Sequence, residues 1–159
     1  MAGKSKKITD YTLARAIADL EKYMYRLTET KTAKKFTFNL EHFMKNELEK
    51  ALSLTTKALD VFPYDKDHMM IKIDLLIEAR SEIKMAEMRI LQMNDLCPFG
   101  NEAKAKADMM LCDIYGNFES LIGSLHNKIA GSDFKGQGPK AGPDNFIGTP
   151  RCDESCNIS

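Results

Sequence analysis

No uninterrupted apolar run in this 159-residue chain approaches the roughly 20 residues that a membrane-crossing helix needs. Met1–Lys7 is basic, and the segment after it is amphipathic rather than an apolar core region, so no secretory leader is expected. A soluble, cytoplasmic protein without a membrane partner is the expectation. Cysteine is scarce: Cys97, Cys112, Cys152 and Cys156. Without a secretory context these read as reduced thiols, with Cys97 and Cys112 as small apolar fillers. Cys152 and Cys156 have no second pair and no nearby histidine, which makes a poor zinc site. Histidine is scarcer still, at His42, His68 and His126. No Glu-x-x-His pair lies on one predicted helix to build a di-iron site; Asp65 and His68 have that spacing but straddle a turn. No glycine-rich loop precedes a helix to cradle a phosphate, and no Cys-His or Ser-His pairing is indicated. The expectation is a non-enzyme with no catalytic residue, metal or cofactor.

No strand pattern is present, and helical periodicity fills most of the chain. Hydrophobic residues make up 43% and charged residues 29%, enough for one core with solvated outer faces. Leu13, Ile17, Leu20, Met24 and Leu27 step by fours and threes behind a cap at Thr9 or Asp10. Leu40, Phe43, Leu48, Leu52, Thr55, Leu59 and Phe62 form the inward side of a second helix, capped by Thr37 or Asn39 and ended by Pro63. Asp65 or Asp67 caps a third, whose stripe is Ile73, Leu76, Ile83, Ile90 and Met93. Ile71, Leu75, Ala79, Ala86 and Met88 widen its apolar arc, so it should touch more than one neighbour. Leu111, Tyr115, Phe118, Ile122, Leu125 and Ile129 mark a fourth. Gly116 and Gly123 lie inside that helix, and each costs about 1 kcal/mol relative to alanine, which points to another helix or subunit crossing close by.

The fold class predicted is all-α: an antiparallel four-helix bundle with helices near 9–30, 38–62, 67–96 and 101–130. A flexible basic segment precedes it over 1–8. Gly131 reads as a C-cap. Residues 131–159 hold five of the nine glycines and three of the five prolines and read as a disordered tail. Within the tail, Asn145-Phe146-Ile147-Gly148 is a candidate docking motif, set against the plainer reading of a mere extension.

Net charge is zero but unevenly spread: residues 1–50 hold 11 basic and 7 acidic residues. Lys31, Lys34 and Lys35 fall where the first two helices join, with Arg26 and Lys45 beside them and Lys4, Lys6 and Lys7 close in sequence. Such a patch can neutralise phosphates and gain affinity by releasing counterions. The competing reading is a solvated loop. Ten methionines, among them Met69, Met70, Met85, Met88 and Met93 on the third helix, read as adaptable core or as a helix–helix or subunit interface.

Lys34-Lys35-Phe36-Thr37, the Leu48–Leu59 run, the third-helix residues Leu75, Leu76, Glu78, Ala79 and Ile83, and the ending Ile114…Leu121-Ile122-Gly123-Ser124-Leu125 carry a resemblance. Over roughly residues 10–130 the chain resembles the four-helix accessory proteins of diversity-generating retroelements, the Avd proteins or accessory variability determinants. It also resembles their relatives encoded in intervening sequences of bacterial ribosomal RNA genes. The resemblance implies a non-catalytic protein that binds a reverse transcriptase and its template RNA or DNA and assembles as a homo-oligomer, a ring-like pentamer. It also implies that Lys31, Lys34 and Lys35 touch nucleic acid, with Arg26 and Lys45 in support. The alternative is a bundle that binds only protein, with the tail or the methionine-rich surface as its docking element.

Overall fold

The computed structural model describes residues 3–31 and 34–133, with side chains over 11–30 and 37–131. The tail from 134 onward, with its Asn145–Gly148 motif, lies outside the described residues. The described residues form four helices: α1 (Gly3–Lys31), α2 (Lys34–Asp60), α3 (Lys66–Leu96) and α4 (Asn101–Asp133). Short connections at 61–65 and 97–100 make successive helices antiparallel. α1 packs on both α2 and α4, which closes an antiparallel four-helix bundle with no diagonal helix contact among the described residues.

The predicted stripes of α1, α3 and α4 are the core. Leu13, Ile17, Leu20, Met24 and Leu27 are buried, as are Ile73, Leu76, Ile83, Ile90 and Met93. Leu111, Phe118, Ile122, Leu125 and Ile129 join them, while Tyr115 is half-buried at the seam. The widened arc of α3 divides: Ala79 and Ala86 face inward, whereas Ile71 and Met88 face outward.

α2 departs most from its predicted face. Phe43 and Phe62 are exposed, and Leu40, Leu52 and Leu59 are half-buried. Leu54 is buried, and the inward face is Thr37, Glu41, Met44, Leu48, Ala51, Thr55 and Ala58. These step by fours and threes, so they hold one face, whereas steps of five drift around the helix. Small residues seven apart on both partners, Ala51 and Ala58 on α2 and Ala79 and Ala86 on α3, let these two backbones come close. α2 and α3 are accordingly the most intimately packed pair.

Helix ends shift by a few residues from those predicted. α1 starts at Gly3, because nothing between Lys4 and Asp10 breaks a helix, and Thr9 and Asp10 lie within it. α2 starts at Lys34, which puts Thr37 and Asn39 inside it instead of at its cap. Asp65 caps α3 as expected, accepting from the His68 N–H at 2.8 Å. Buried Lys72 donates to the Val61 carbonyl just past the end of α2 at 3.5 Å, where a cation is favoured. Gly100, with φ of +104°, turns the chain into α4, and its carbonyl accepts from Lys104 N–H. α4 continues to Asp133, so Gly131 sits in its last turn and is not a left-handed cap.

No described helix crosses Gly116 or Gly123. Among the described residues, nothing lies within 4 Å of the Cβ that either would carry. Both lie on the side of α4 away from the core, so the close crossing expected there is not made by these four helices.

Candidate functional site

The basic corner forms where α1 meets α2. Arg26 is exposed just over one turn from the end of α1, Lys31 closes α1, and Lys34 and Lys35 open α2. The contacts of the three lysine side chains lie outside the described residues. Their backbone positions still carry an electrostatic consequence. The first amides of a helix lack intrahelical partners and face a positive dipole end. α2 has no acidic residue in its first turn to offset that, and Lys34 and Lys35 add charge of the same sign. For helix stability alone this is the wrong chemistry. For an anion it is the right one, because amides, dipole and ammonium groups all favour negative charge.

Lys45 is placed differently. It is half-buried, with Nζ 4.4 Å from the centroid of the Tyr25 ring across the α1–α2 groove. Glu21 and Glu49 are close by. Burial pushes the Glu21 carboxyl above its ordinary range, the Glu49 charge adds to this, and a hydrogen bond from Tyr25 opposes it. Lys45 thus works first as a latch between α1 and α2.

Beneath the corner the core becomes polar. Thr28, Thr37 and Glu41 are buried. Thr37 Oγ1 donates to Glu41 Oε2 at 2.9 Å, and Thr28 Oγ1 donates to the Tyr25 carbonyl at 3.1 Å. A buried carboxylate is tolerated only where donors or charges compensate it. Glu41 is therefore part of the inner scaffold. Heptad spacing from Met44 and Leu48 back through Glu41 and Thr37 is the signal that places it inside.

Three further polar clusters lie away from this corner. At the opposite end, Phe62 stacks on Tyr64 at 5.8 Å and Tyr64 lies 4.3 Å from His68. His68 Nδ1 is 2.6 Å from Asp65 Oδ1. The His68 backbone and ring hold the Asp65 carboxyl below its usual range. On the α2–α3 side, Arg89 binds Glu47 through Nε and Nη2 at 3.2 and 3.0 Å and stacks 5.1 Å from Phe43. That platform role explains why Phe43 is outside the core. On the α3–α4 side, Tyr115 donates to Glu87 at 2.5 Å beneath Lys84. Burial, then that bond, push its phenol well above the ordinary range.

None of these clusters groups three or more His, Cys, Asp or Glu side chains able to hold a metal ion, among the described residues. No described helix is long and apolar enough to cross a membrane. Comparison with known protein families, with curated proteins and with solved structures finds no match to this chain.

Proposed function

We propose that this chain is a non-catalytic accessory protein that binds template RNA or DNA at the α1–α2 corner, in company with a reverse transcriptase, as in diversity-generating retroelements. The observation that carries the reading is the placement of Lys34 and Lys35 in the first turn of α2, with no acidic residue in that turn and Lys31 closing α1. Positive charge stacked on a positive helix end costs helix stability, and a bound phosphate reverses that cost. Departures from local preference of this kind are expected at functional positions. Arg26 widens the patch, and Lys45 contributes from its seat over Tyr25. Assembly into a homo-oligomer, a pentamer in the resemblance, is part of the same reading and is checked by light scattering on the purified chain.

The decisive variant carries Lys31→Glu, Lys34→Glu and Lys35→Glu. Two of the three place acids in a helix first turn, where the dipole favours them, so loss of binding is not a trivial result of unfolding. Phosphate contacts carry little sequence information. Affinity for unrelated RNAs falls together, and the slope of affinity against salt flattens by about one log unit for each lysine that no longer meets a phosphate. Both are measured with and without the reverse transcriptase. Unchanged affinity and slope in a folded variant refute the proposal.

A further inference from the structure

The first turns of α2 hold an aromatic ring among basic positions. Phe38 is 65% exposed. It follows Lys34 and Lys35 by four and three residues, and His42 and Lys45 follow it by four and seven. Steps of three and four keep these positions on one face of the helix. The seat of Lys45 over the Tyr25 ring turns that face toward α1. From Lys34 to Lys45 it is about 16 Å long. Between Lys31 and Asn46 the chain holds four lysines, and its single acid, Glu41, is buried. The neighbouring acids lie outside this stretch: Glu29 precedes it, Glu47 is bound by Arg89, and Glu49 stands one turn beyond Lys45.

Other surface rings of this protein are engaged. Phe43 carries Arg89, Tyr25 carries Lys45, and Phe62 stacks on Tyr64. Phe38 has no ring or cation contact among the described residues, so its face is open. An open aromatic face among ammonium groups matches the way proteins hold single-stranded nucleic acid, in which charges follow the phosphates and a base stacks on the ring. A duplex keeps its bases stacked on one another, so it meets the lysines and leaves the ring unused. We infer that Phe38 stacks an unpaired base, and that the α1–α2 corner therefore takes single-stranded RNA or DNA in preference to duplex. This rests on the reading of the corner as a nucleic-acid surface and adds what that surface selects. Every base has a face to stack, so the selection is for an unpaired strand and not for a sequence.

The test titrates the full chain against fluorescein-labelled oligonucleotides of about 12 nucleotides: a single strand of RNA, the same strand of DNA, a DNA strand with abasic sites in place of its bases, and a duplex. The tighter of the first two identifies the sugar preferred. Wild type binds the ordinary strands more tightly than the abasic strand or the duplex. Phe38→Ala loses about tenfold in affinity for the ordinary strands and little for the other two. Its slope of affinity against salt stays that of wild type, because no phosphate contact is lost. Phe38 is exposed, so the fold persists, which circular dichroism checks. The chain has no tryptophan, so Phe38→Trp keeps a stacking ring and adds a lone reporter whose emission is quenched by a stacked base. Undiminished binding by Phe38→Ala, an equal loss for abasic strand and duplex, or an unquenched tryptophan in a bound complex overturns the inference. If the lysine triple variant still loses affinity in that case, the corner stands as a phosphate surface without the stacking. No binding of any strand by wild type overturns both readings. A wild-type oligomer that Phe38→Ala dissociates also overturns the inference, because a second copy then covers the ring.

Discussion

Replacing Gly116 and Gly123 by alanine should make the protein more stable. Both residues lie in the interior of α4, neither has positive φ, and an added Cβ at either meets nothing within 4 Å among the described residues. No overpacking therefore opposes the gain in helix propensity and the loss of unfolded-state entropy. Each substitution contributes about 0.8–1 kcal/mol. The two sites are seven residues apart, so the effects add, to about 2 kcal/mol. For a chain of this size that corresponds to a rise of about 4–8 °C in Tm. The assay is thermal and urea unfolding followed by circular dichroism, with m unchanged and the midpoint raised. Equal or lower stability in the double variant would refute the reasoning. If the mass in light scattering fell at the same time, a subunit would be seated on this face of α4.

Ala51→Leu forces a larger side chain into the close α2–α3 contact, where Ala51 is fully buried; a loss of about 1–3 kcal/mol in urea unfolding is expected. Thr55 Oγ1 is buried without a hydrogen-bond partner among the described residues, so Thr55→Val, which keeps the shape, should raise stability by up to about 1 kcal/mol. Asp65 has a lowered folded pKa. Its charge therefore stabilises the fold above the ordinary aspartate range and ceases to do so as pH falls through the folded value. Asp65→Asn keeps the cap but not the charge, so its Tm deficit should be present at neutral pH and close below pH about 4.

The bundle is legible in the sequence because α1, α3 and α4 repeat apolar residues at fours and threes without interruption. α2 is harder to read, because its inner face is built from Thr37, Glu41, Ala51 and Ala58, residues that a search for large apolar side chains passes over. Phe43 and Phe62 draw the predicted face outward, yet Phe43 serves as the platform for Arg89. At the candidate site, the order of Lys31, Lys34 and Lys35 along the chain places them at the junction of two helices. The start of α2 at Lys34, which puts two of those lysines on a helix amino-terminus, has no capping signal to announce it. The engagement of Lys45 with Tyr25 is also hidden, since it depends on how α1 and α2 are rotated about their axes.

The close fit of α2 against α3 has a consequence for the time course of folding. These helices are neighbours in sequence, joined by five residues at 61–65, and share the most intimate packing in the molecule. Their contacts are local and cost little loop-closure entropy. The α2–α3 hairpin should form first and open last, with α1 and α4 docking later onto its exposed groove. Native-state hydrogen exchange would then show amides near Ala51, Ala58, Ala79 and Ala86 exchanging only through global unfolding, while those of α1 exchange through a smaller, separate opening. Uniform protection across all four helices would argue against that order.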